Sequence, residues 1–505
     1  MKKNLRTFLI MLLVLVLVGG GAAALLLTQP TEETAAEEES SSSQVREPLL
    51  DLEPEQVASL QVENAYGAFT LVPLSEEEAQ AVTSQESAAE SAASSESSVS
   101  SGQEEDTHAV LFTLEEYREY EPDTLTITED VEDLLGLAVS KDLGALENLE
   151  PYGLEEGDAT QVTIQLSDGS AVELAVGTQA GETVGNYVLY QGTVTICNMS
   201  TGLLENPLHY LGTEVYTVES PAASSDTESS STNILYYADI TTEEGETLLL
   251  QYDQMEGTYL LNEPVLAQAE DTAVSQLVTA LQSLTASQVA AAGLTQENLE
   301  AYGLSQPAAS ITFQLNEEVH TLQVSAPDAE GNRYLTSEGS QLVYQVAGSA
   351  VDVWAQAQAM DLRTGAVWQP SIEDGSSLTF TVEGDQVYQY TVTRTEDEAS
   401  STEGSVAYTY TVTDPSGQEV AYEDYQSLFD SAMGLSVLSM DPVTQGETPV
   451  LTIQVSYFTL EQQDEIAYYP VEGQERYAAT LNGTYSGLVR SSDVTNLLAQ
   501  LQGDA

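Results

Sequence analysis

Few residues of the chain could carry out chemistry on their own. Its 505 residues include three histidines and one cysteine: His108, His209, His320 and Cys197. None of the histidines lies at ligand spacing from another His, from the cysteine or from a Glu, so they form no metal-binding motif. Cys197 falls in a predicted strand, where a free thiol behaves as a small apolar group, and a lone cysteine allows no intramolecular disulfide. We therefore predict no catalytic, cofactor-binding or metal-binding residue among these four.

Carboxylates are the other potential catalytic groups, and they are abundant. The chain has 82 Asp and Glu residues, 11 Lys and Arg residues and a formal net charge of −71. Such a surface repels phosphate backbones, which excludes nucleic acid as a partner. Because acids occur so often, a pair of carboxylates is no evidence for acid–base catalysis. The nearest approach to a calcium-binding loop is Asp328-Ala329-Glu330-Gly331-Asn332, which we interpret as a hairpin turn, with a weak cation site as the alternative.

Motifs for nucleophilic or phosphate chemistry are missing from the sequence. It has no Gly-x-Ser-x-Gly elbow, no Ser-x-x-Lys and no Gly-rich phosphate loop. We predict that the protein is not an enzyme. Its 26 tyrosines, against two tryptophans, would suit stacking on sugars. Most of them fall in predicted strands, however, and Tyr also favours half-exposed strand faces, so both interpretations stay open.

The elements that would position any site repeat along the chain. Val162–Leu166, Ile311–Leu315 and Leu451–Val455 have nearly the same sequence and alternate apolar with polar residues, which is typical of a strand with one buried face. Their first residues lie 149 and 140 positions apart (311 − 162 and 451 − 311). We interpret this strand as the centre of a module that occurs three times.

Each module has the same predicted order of elements. A hairpin is followed by an amphipathic helix, then by a four-stranded meander and a short terminal helix. The amphipathic helices are predicted near 129–140, 271–285 and 423–438, where apolar residues recur at helical spacing. Short connections make the meanders antiparallel. The predicted fold class is therefore α+β: an N-terminal transmembrane helix followed by three tandem modules, each an antiparallel β-meander with an amphipathic helix and a short terminal helix.

Two modules share a Tyr-Gly-Leu sequence shortly before the repeated strand. The copies are Tyr152–Leu154 and Tyr302–Leu304, and the third module has none. Gly lets the backbone turn out of the preceding segment, and we expect Tyr and Leu to fill the core beside the strand. We therefore predict a structural role for this sequence.

The N-terminus carries a long apolar segment. Phe8–Leu27 contains no charged residue, and twenty residues of helix span about 30 Å, the thickness of the bilayer core. Lys2, Lys3 and Arg6 precede it and mark the cytoplasmic side. We expect a single-pass membrane protein with a cytoplasmic N-terminus and an extracellular remainder. A cleaved signal peptide is the alternative.

Composition and the repeats predict the boundaries of the domains. Thr, Glu, Ser and Ala dominate the polar tracts, which are typical of disorder. The predicted segments are a transmembrane anchor (1–27), a disordered acidic stalk (28–48), a first module (49–212) with a disordered insertion (75–106), a linker (213–232), a second module (233–363), a linker (364–375) and a third module (376–502).

These features together resemble a bacterial family known only as a domain of unknown function, DUF4340. The resemblance rests on the N-terminal anchor, the Tyr-Gly-Leu after an amphipathic helix, and the alternating strand with its meander. It is best over 129–211 and 271–360 and weaker over 423–502. The resemblance implies a membrane-anchored extracytoplasmic protein whose gene lies beside components of gliding-type ABC transporters. The family offers no catalytic residues to transfer.

The leading functional hypothesis is a non-enzymatic protein that acts as an envelope scaffold or as an accessory component of an ABC-type transport system. The expected partners are the membrane, through the N-terminal helix, and a transporter or envelope protein. The alternative is an extracellular binding module for a cell-wall glycan or a small ligand. An enzyme with acidic catalytic residues is a third hypothesis, which a cleft holding two carboxylates, one with a raised pKa, would support.

Overall fold

The computed structural model describes residues 48–82, 110–181, 185–221, 233–254, 257–383, 386–397, 406–459 and 463–502. From Leu49 onward the chain forms one compact unit. Its strands make four antiparallel sheets, of eight, nine, two and nine strands, while the helices are short. The protein is therefore mostly β. The prediction of an α+β protein is wrong, because the chain leaves each predicted amphipathic helix early and adds further strands.

The first large sheet lies within the first predicted module. Its strands are β1 (Val57–Asn64), β2 (Gly67–Pro73), β3 (Phe112–Leu114), β4 (Val139–Gly144), β5 (Thr160–Leu166), β6 (Ala171–Gln179), β7 (Asn186–Tyr190) and β8 (Thr193–Cys197). They lie side by side in the order β3-β2-β1-β5-β6-β7-β8-β4. Helix α1 (Thr124–Leu135) precedes β4, and β9 (Glu214–Thr217) follows the sheet. Short 3-10 turns occur at Pro54–Gln56, Glu115–Tyr120, Glu150–Tyr152, Gly202–Leu204 and Pro207–Tyr210.

The second large sheet has nine strands and lies within the second predicted module. The strands of this region are β10 (Leu235–Thr241), β11 (Thr247–Asp253), β12 (Thr258–Glu263), β13 (Ala267–Gln268), β14 (Ser283–Thr285), β15 (Gln288–Ala292), β16 (Ala309–Leu315), β17 (Glu318–Val324), β18 (Asn332–Ser337) and β19 (Leu342–Ala347). All except β14 belong to the large sheet, in the order β13-β12-β11-β10-β16-β17-β18-β19-β15. Its helices are α2 (Asp271–Ala280), α3 (Gln296–Ala301), α4 (Gly348–Ala355) and α5 (Ala359–Leu362).

The third large sheet also has nine strands. They are β20 (Gly375–Val382), β21 (Gln386–Glu396), β22 (Tyr408–Thr413), β23 (Glu419–Val420), β24 (Val437–Ser439), β25 (Leu451–Tyr457), β26 (Gln463–Pro470), β27 (Arg476–Leu481) and β28 (Thr484–Arg490). Their order is β23-β22-β21-β20-β25-β26-β27-β28-β24. The helices are α6 (Tyr422–Met433) and α7 (Ser491–Gln502).

All three large sheets have the same topology. Each joins a front meander to a back meander through their first strands, so that β1 pairs with β5, β10 with β16 and β20 with β25. A strand between the amphipathic helix and the back meander (β4, β15 or β24) crosses to the far edge and pairs with the last strand of that meander. The repeated strands therefore lie in the middle of their sheets, where both neighbours are strands.

The repeated strands supply the core, as predicted. Val162 and Ile164 of β5 are at most 1% exposed, and they lie opposite Val62 and Leu60 of β1. The equivalent apolar residues of β16 and β25 are buried in the same way. Complete burial of such a side chain stabilises the fold by about 1.5–3 kcal/mol. The three sheets thus each have a main apolar core on one face.

The amphipathic helices cover these cores but end earlier than predicted. In α1, Asp123 caps the N-terminus by accepting from Leu125 N and Thr126 N, and Ile127 and Val131 are buried. We predicted helix to 140, 285 and 438, but the helices end at Leu135, Ala280 and Met433. The buried apolar residues that follow lie in the connection after each helix (Leu137, Leu281 and Leu435) or in a short strand (Leu284 of β14 and Val437 of β24). Helical spacing in the sequence does not separate these two kinds of burial.

The two segments predicted to be linkers belong to the fold where the structure describes them. In segment 213–232, β9 pairs with β14 to make the two-stranded sheet, and 222–232 lie outside the described residues. In segment 364–375, Val367 and Trp368 are buried in the core of the third sheet. Both segments are polar in composition, but elements far along the chain bury their few apolar residues.

The predicted insertion begins with ordered structure. Residues 76–82 are helical, the Ser75 hydroxyl donates to Glu78 (2.6 Å), and the Arg118 guanidinium lies 2.8 Å from the Glu78 carboxylate. The prediction of disorder from residue 75 is therefore wrong for 75–82. The local hydrogen bonds compensate for the lack of apolar residues. The rest of the predicted insertion, 83–106, lies outside the described residues.

The predicted membrane anchor is not supported. In the described stretches between residues 48 and 502, no helix has both the length and the apolar character needed to cross a bilayer. The longest of those helices have 12 residues, whereas a span needs about 20. On this finding, the predictions of a transmembrane helix, of attachment to the membrane through it, and of a single-pass protein are wrong. Phe8–Leu27 and the predicted stalk at 28–47 lie outside the described residues.

Candidate functional site at the junction of the first and second sheets

The segment that leaves the first sheet contributes its apolar side chains to the second. Leu208, Leu211, Tyr216 and Val218 precede β10 in the chain, yet they belong to the main core of the second sheet. Their exposed fractions are 9%, 2%, 8% and 7%. Four buried apolar side chains of this connecting segment therefore hold the second module in place.

Backbone hydrogen bonds fix the same segment. β9 pairs with β14 in antiparallel register, with Tyr216 opposite Leu284. Ala286 N donates to Thr213 O (2.7 Å), and Val218 N donates to Gln282 O (2.8 Å). The two modules are thus joined by a short sheet as well as by apolar contacts. This double connection leaves the surfaces beside it facing one another.

A cleft of about 600 Å³ lies where these surfaces meet, a size in the usual range for small-molecule sites. Side chains of both modules line it. Those of the first module are Tyr66, Glu205, Asn206, Leu208 and His209, and those of the second are Gln288, Val289, Ala290, Tyr302 and Tyr334.

The wall from the second module is built on the Tyr-Gly-Leu sequence. Helix α3, capped by the Thr295 side chain, ends at Ala301 with Tyr302 as its C-cap, and Gly303 then turns the chain with φ +71°. Leu304 is 4% exposed. The Tyr302 hydroxyl donates to Ala290 O (2.8 Å), which fixes the orientation of the ring. The predicted structural role of Tyr-Gly-Leu is confirmed here, but its tyrosine also faces the cleft.

A second tyrosine extends this wall. The rings of Tyr302 and Tyr334 have centroids 4.7 Å apart and an interplanar angle of 55°. Tyr334 comes from β18, in the back meander. Burial, with smaller contributions from Asp328 and other neighbours, raises the pKa of the Tyr334 phenol above its usual value. Tyr334 is therefore a neutral hydroxyl over the physiological pH range, able to donate and to accept.

The wall from the first module is a turn tied to a loop. Tyr66 lies at the turn between β1 and β2 and is 63% exposed. Asn64 holds this turn: its Oδ1 accepts from Tyr66 N (2.8 Å), and its Nδ2 donates to Leu203 O (3.3 Å) and Glu205 O (2.8 Å). One asparagine side chain thus connects the turn with the loop that carries Glu205.

His209 contributes a hydrogen-bonding group to the cleft. Its Nδ1 lies 2.7 Å from Asn206 O. A carbonyl oxygen can only accept, so Nδ1 carries the proton, and in the neutral ring Nε2 is then an acceptor. The imidazole also packs against Tyr210, with centroids 3.8 Å apart. From its sequence context His209 was predicted to be incidental, and no spacing pattern indicated the cleft.

The cleft has the character of a binding surface for a neutral ligand. Of the described residues that line it, none is Lys or Arg, and Glu205 is the only Asp or Glu. The polar groups are otherwise hydroxyls, amides and an imidazole, interleaved with aromatic rings. This arrangement can hold hydroxyl and amide groups by hydrogen bonds and apolar ring faces by contact with tyrosine.

The junction between the second and third sheets has the same backbone connection. Val437 N donates to Gly365 O (2.8 Å), in the same way that Ala286 N donates to Thr213 O at the first junction. Leu211 and Arg363 each lie two residues before the accepting carbonyl. Ala366 forms a bridge with Ser436, as Glu214 pairs with Thr285. The two junctions are therefore equivalent, about 150 residues apart.

Arg363 makes the second junction different from the first. Its side chain is buried, with the residue only 3% exposed. Its Nε donates to Thr364 O (3.1 Å), and its Nη2 donates to Ala366 O (2.9 Å) and to Ser486 Oγ (3.4 Å). Nη1 donates to Ser486 O. Burial lowers the pKa of the Arg363 guanidinium to about 10, so the side chain remains charged at neutral pH and connects β28 to the segment before the third sheet.

Residues 260–450 match the model of a family described as "Domain of unknown function (DUF4340)". This segment is DUF4340-like. The resemblance predicted from the sequence is thereby confirmed for 271–360 and for the beginning of 423–502. The match starts within β12, crosses the junction that contains Arg363 and ends one residue before β25. Neither the comparison with curated proteins nor that with solved structures gave a match.

The other residues considered from the sequence lie apart from the cleft. Cys197 is buried, and burial raises the pKa of its thiol. His320, which lies in the DUF4340-like segment, stacks on Tyr216 with centroids 4.4 Å apart, and its Nε2 lies 3.4 Å from Glu318 Oε2. It therefore packs against the strand that joins the first two modules. His108 lies outside the described residues.

The loop at Asp328 is a hairpin turn, as predicted. Asp328 N donates to Asn332 O (2.8 Å), and Gly331 N donates to Asp328 O (3.2 Å). The Asp328 carboxylate accepts from Glu330 N (3.0 Å) and Asn332 N (2.7 Å). Its oxygens thus serve the turn itself. Among the described residues, no group of three or more His, Cys, Asp or Glu side chains could hold a metal ion.

Among the described residues, three carboxyl groups have a clearly shifted pKa, and in each case the pKa is lowered. Hydrogen bonds from Ser75, Ser170 and Gln418 are the main causes for Glu78, Asp168 and Asp414 respectively, and each lowers the pKa. Each of the three accepts hydrogen bonds close to its own position in the chain. These hydrogen bonds belong to local turns and caps, and they account for the lowered pKa values.

Proposed function

We propose that the protein is a non-enzymatic scaffold that holds several modules in a fixed arrangement for a protein partner, as an envelope scaffold or an accessory component of an ABC-type transport system. The observation that carries this proposal is the repeated junction. Thr213 and Gly365 accept equivalent backbone hydrogen bonds from the following module. Modules that are joined by strand pairing and backbone hydrogen bonds at both junctions are restricted in their movement relative to one another.

The side chains at both junctions support a fixed arrangement. Tyr216 at the first junction and Trp368 at the second are buried in the core of the following sheet. In the opposite direction, Met440 of the third module packs against the core of the second. Burial of each large side chain contributes about 1.5–3 kcal/mol, so bending at either junction would expose apolar surface.

The charge of the surface supports a protein partner of basic or neutral character. The formal net charge of the whole chain is −71, and like-charged partners are repelled. The polar outer faces of the sheets present hydroxyl and amide groups of the repeated strands, such as Thr163 and Gln165. The transporter part of the proposal rests on the family resemblance described from the sequence.

Affinity purification from the natural host tests the proposal. The tagged full chain is cross-linked in cells, and the co-purifying proteins are quantified by mass spectrometry. We expect subunits of an ABC-type transporter among the enriched proteins. An Arg363→Leu chain serves as the comparison, because it loosens the second junction while the first and second sheets stay folded.

Two outcomes would count against the scaffold. One is that no transporter or envelope protein is enriched over an unrelated tagged protein of similar charge. The other is that the Arg363→Leu chain, shown by hydrogen exchange to have a loosened junction, retains every partner at the original level. The second outcome would mean that the fixed arrangement of modules is not needed for binding.

A further inference from the structure

We propose that the cleft between the first and second sheets binds a neutral saccharide of one or two pyranose rings. The cleft is the one lined by Tyr66 and His209 on one side and by Tyr302 and Tyr334 on the other. This site does not depend on the scaffold proposal, because it uses one junction and a small ligand instead of a protein partner.

The size of the cleft fits a ligand of this class. Its volume of about 600 Å³ can hold one or two sugar rings with some water, and protein sites for small ligands commonly measure about 300–1,000 Å³. The cleft is also fixed by the fold, since the pairing of β9 with β14 joins the two modules that line it. Binding of a ligand would therefore not include the entropic cost of ordering the walls.

The aromatic rings suit the apolar faces of a pyranose. Tyr302 is held by its hydrogen bond to Ala290 O, and Tyr334 packs beside it at 4.7 Å between centroids. Tyr66, from the first module, also lines the cleft and is 63% exposed, so its ring is accessible to a ligand. A sugar ring between these walls would bury C–H groups on one face against tyrosine.

The polar groups suit hydroxyls and exclude most other ligand classes. His209 offers the acceptor Nε2, because its Nδ1 is engaged with Asn206 O. Gln288 donates through Nε2 to Gln345 Oε1 (2.7 Å), which leaves its own Oε1 as an acceptor. Neighbouring hydroxyls of a sugar can donate to such acceptors and accept from a tyrosine hydroxyl. With Glu205 present and no Lys or Arg in the lining, a phosphate or carboxylate would be repelled.

Titration calorimetry with the full chain tests the site. The probes are N,N′-diacetylchitobiose, cellobiose and maltose as neutral disaccharides, with glucuronic acid as the anionic comparison. We expect saturable binding of at least one neutral disaccharide and no binding of glucuronic acid. Tyr66→Ala should weaken the binding about tenfold, since it removes one aromatic contact.

Two further variants locate the binding and guard against misfolding. His209→Phe keeps a ring of similar size but removes both the acceptor Nε2 and the exposed hydrogen bond of Nδ1 to Asn206 O, so we expect weaker binding with only a small fall in the melting temperature. Tyr408→Ala, at an exposed tyrosine of the third module (37% exposed), is the matched control and should bind as the original chain does.

The proposal is overturned by any of three results. The first is that none of the neutral disaccharides binds the original chain. The second is that Tyr66→Ala and His209→Phe, both folded, bind the sugar as strongly as the original chain. The third is that glucuronic acid binds as tightly as the neutral sugars, which would contradict the charge argument.

Discussion

The two junctions of this protein share a backbone connection but differ in what fills them. At the first, Leu211 is buried among apolar side chains, and a cleft lies beside it. At the second, Arg363 occupies the equivalent position and donates to backbone and side-chain oxygens on both modules. The hydrogen bonds of the backbone therefore set how the modules connect, while one side chain decides whether the connection is apolar or polar.

The difference has an energetic consequence. An apolar junction is stabilised by area removed from water and tolerates small changes of shape. The stabilisation by a buried guanidinium depends on the directions of its hydrogen bonds to the surrounding oxygens. Each oxygen that loses its donor is left unsatisfied in an environment without water. We expect the second junction to be the more sensitive of the two to substitution.

Replacing Arg363 by Leu should have the largest effect. The change copies the first junction, but Thr364 O and Ser486 O would lose the guanidinium donors while remaining buried, and Ala366 O would retain only the longer bond from Thr364 Oγ1 (3.4 Å). We expect the free energy of unfolding of the third module to fall by about 4 kcal/mol. Differential scanning calorimetry measures the change, and hydrogen exchange in β28 locates it.

Arg490→Leu is the matched control, since Arg490 is exposed and lies at the end of β28, the strand that Arg363 contacts through Ser486. It should change the free energy of unfolding by no more than about 0.5 kcal/mol. If the Arg363→Leu chain were as stable as this control, the buried guanidinium would contribute nothing beyond its volume.

Replacing Leu211 by Ala tests the apolar junction. Leu211 is 2% exposed, and its removal leaves a cavity in the core of the second sheet. We expect a loss of about 3 kcal/mol, with faster hydrogen exchange in β9 and β14. Leu125→Ala, at a leucine that is 37% exposed, is the comparison. A cost at Leu211 equal to or above that at Arg363 would reverse the order of the two junctions.

Replacing Gly487 by Ala tests the close packing beside Arg363. A Cβ at this position would lie 2.5 Å from Val437 Cγ1 and 3.0 Å from Ser439 O, and the backbone has φ +144°. We expect a loss of about 2 kcal/mol from the clash and the backbone strain together, measured as a lower melting temperature of the third module.

Gly483→Ala separates these two causes. Gly483 lies in the turn before β28 with φ +79°, and a Cβ there would meet nothing within 4 Å. This variant should lose about 1 kcal/mol of unfolding free energy, from the strain of placing a Cβ at a positive φ alone. Equal effects at the two glycines would mean that contact with Val437 is unimportant.

Replacing Tyr302 by Phe should have the smallest effect. The change removes the hydrogen bond from the hydroxyl to Ala290 O (2.8 Å) but keeps the ring in the cleft wall. We expect a loss of about 1 kcal/mol. Tyr152→Phe is the comparison in the first module, because the edge contact of Tyr152 with Tyr187 does not use the hydroxyl. A larger loss at Tyr152 than at Tyr302 would contradict this account.

Part of the fold could be predicted because it depends on local patterns. The alternation in Val162–Leu166 and its two copies indicated a half-buried strand, and that strand lies in the centre of each large sheet. The turn at Asp328 also follows from nearby residues. The edge strand β15 could not be predicted in the same way, because its pairing with β19 joins residues that are 50 to 57 positions apart (342 − 292 and 345 − 288).

The residues of the candidate site were likewise only partly predictable from the sequence. Tyr302 drew attention as part of a repeated Tyr-Gly-Leu sequence, but His209 and Tyr66 lie in different parts of the first module and share no spacing with it. Segment 213–232 was interpreted as a linker because of its polar composition. The pairing of β9 with β14 and the burial of Leu208 and Leu211 in the second core together bring these residues around one cleft.

The sequence by itself determined the three modules, their buried strand faces and their acidic character, because each of these follows from composition or from the period of neighbouring residues. The tertiary structure decided where the helices stop, how Leu211 and Arg363 connect the modules, and which tyrosines share the cleft. These features depend on contacts between residues far apart in the chain. Periodicity shows which face of an element is buried, but only the packed fold shows which other element covers it.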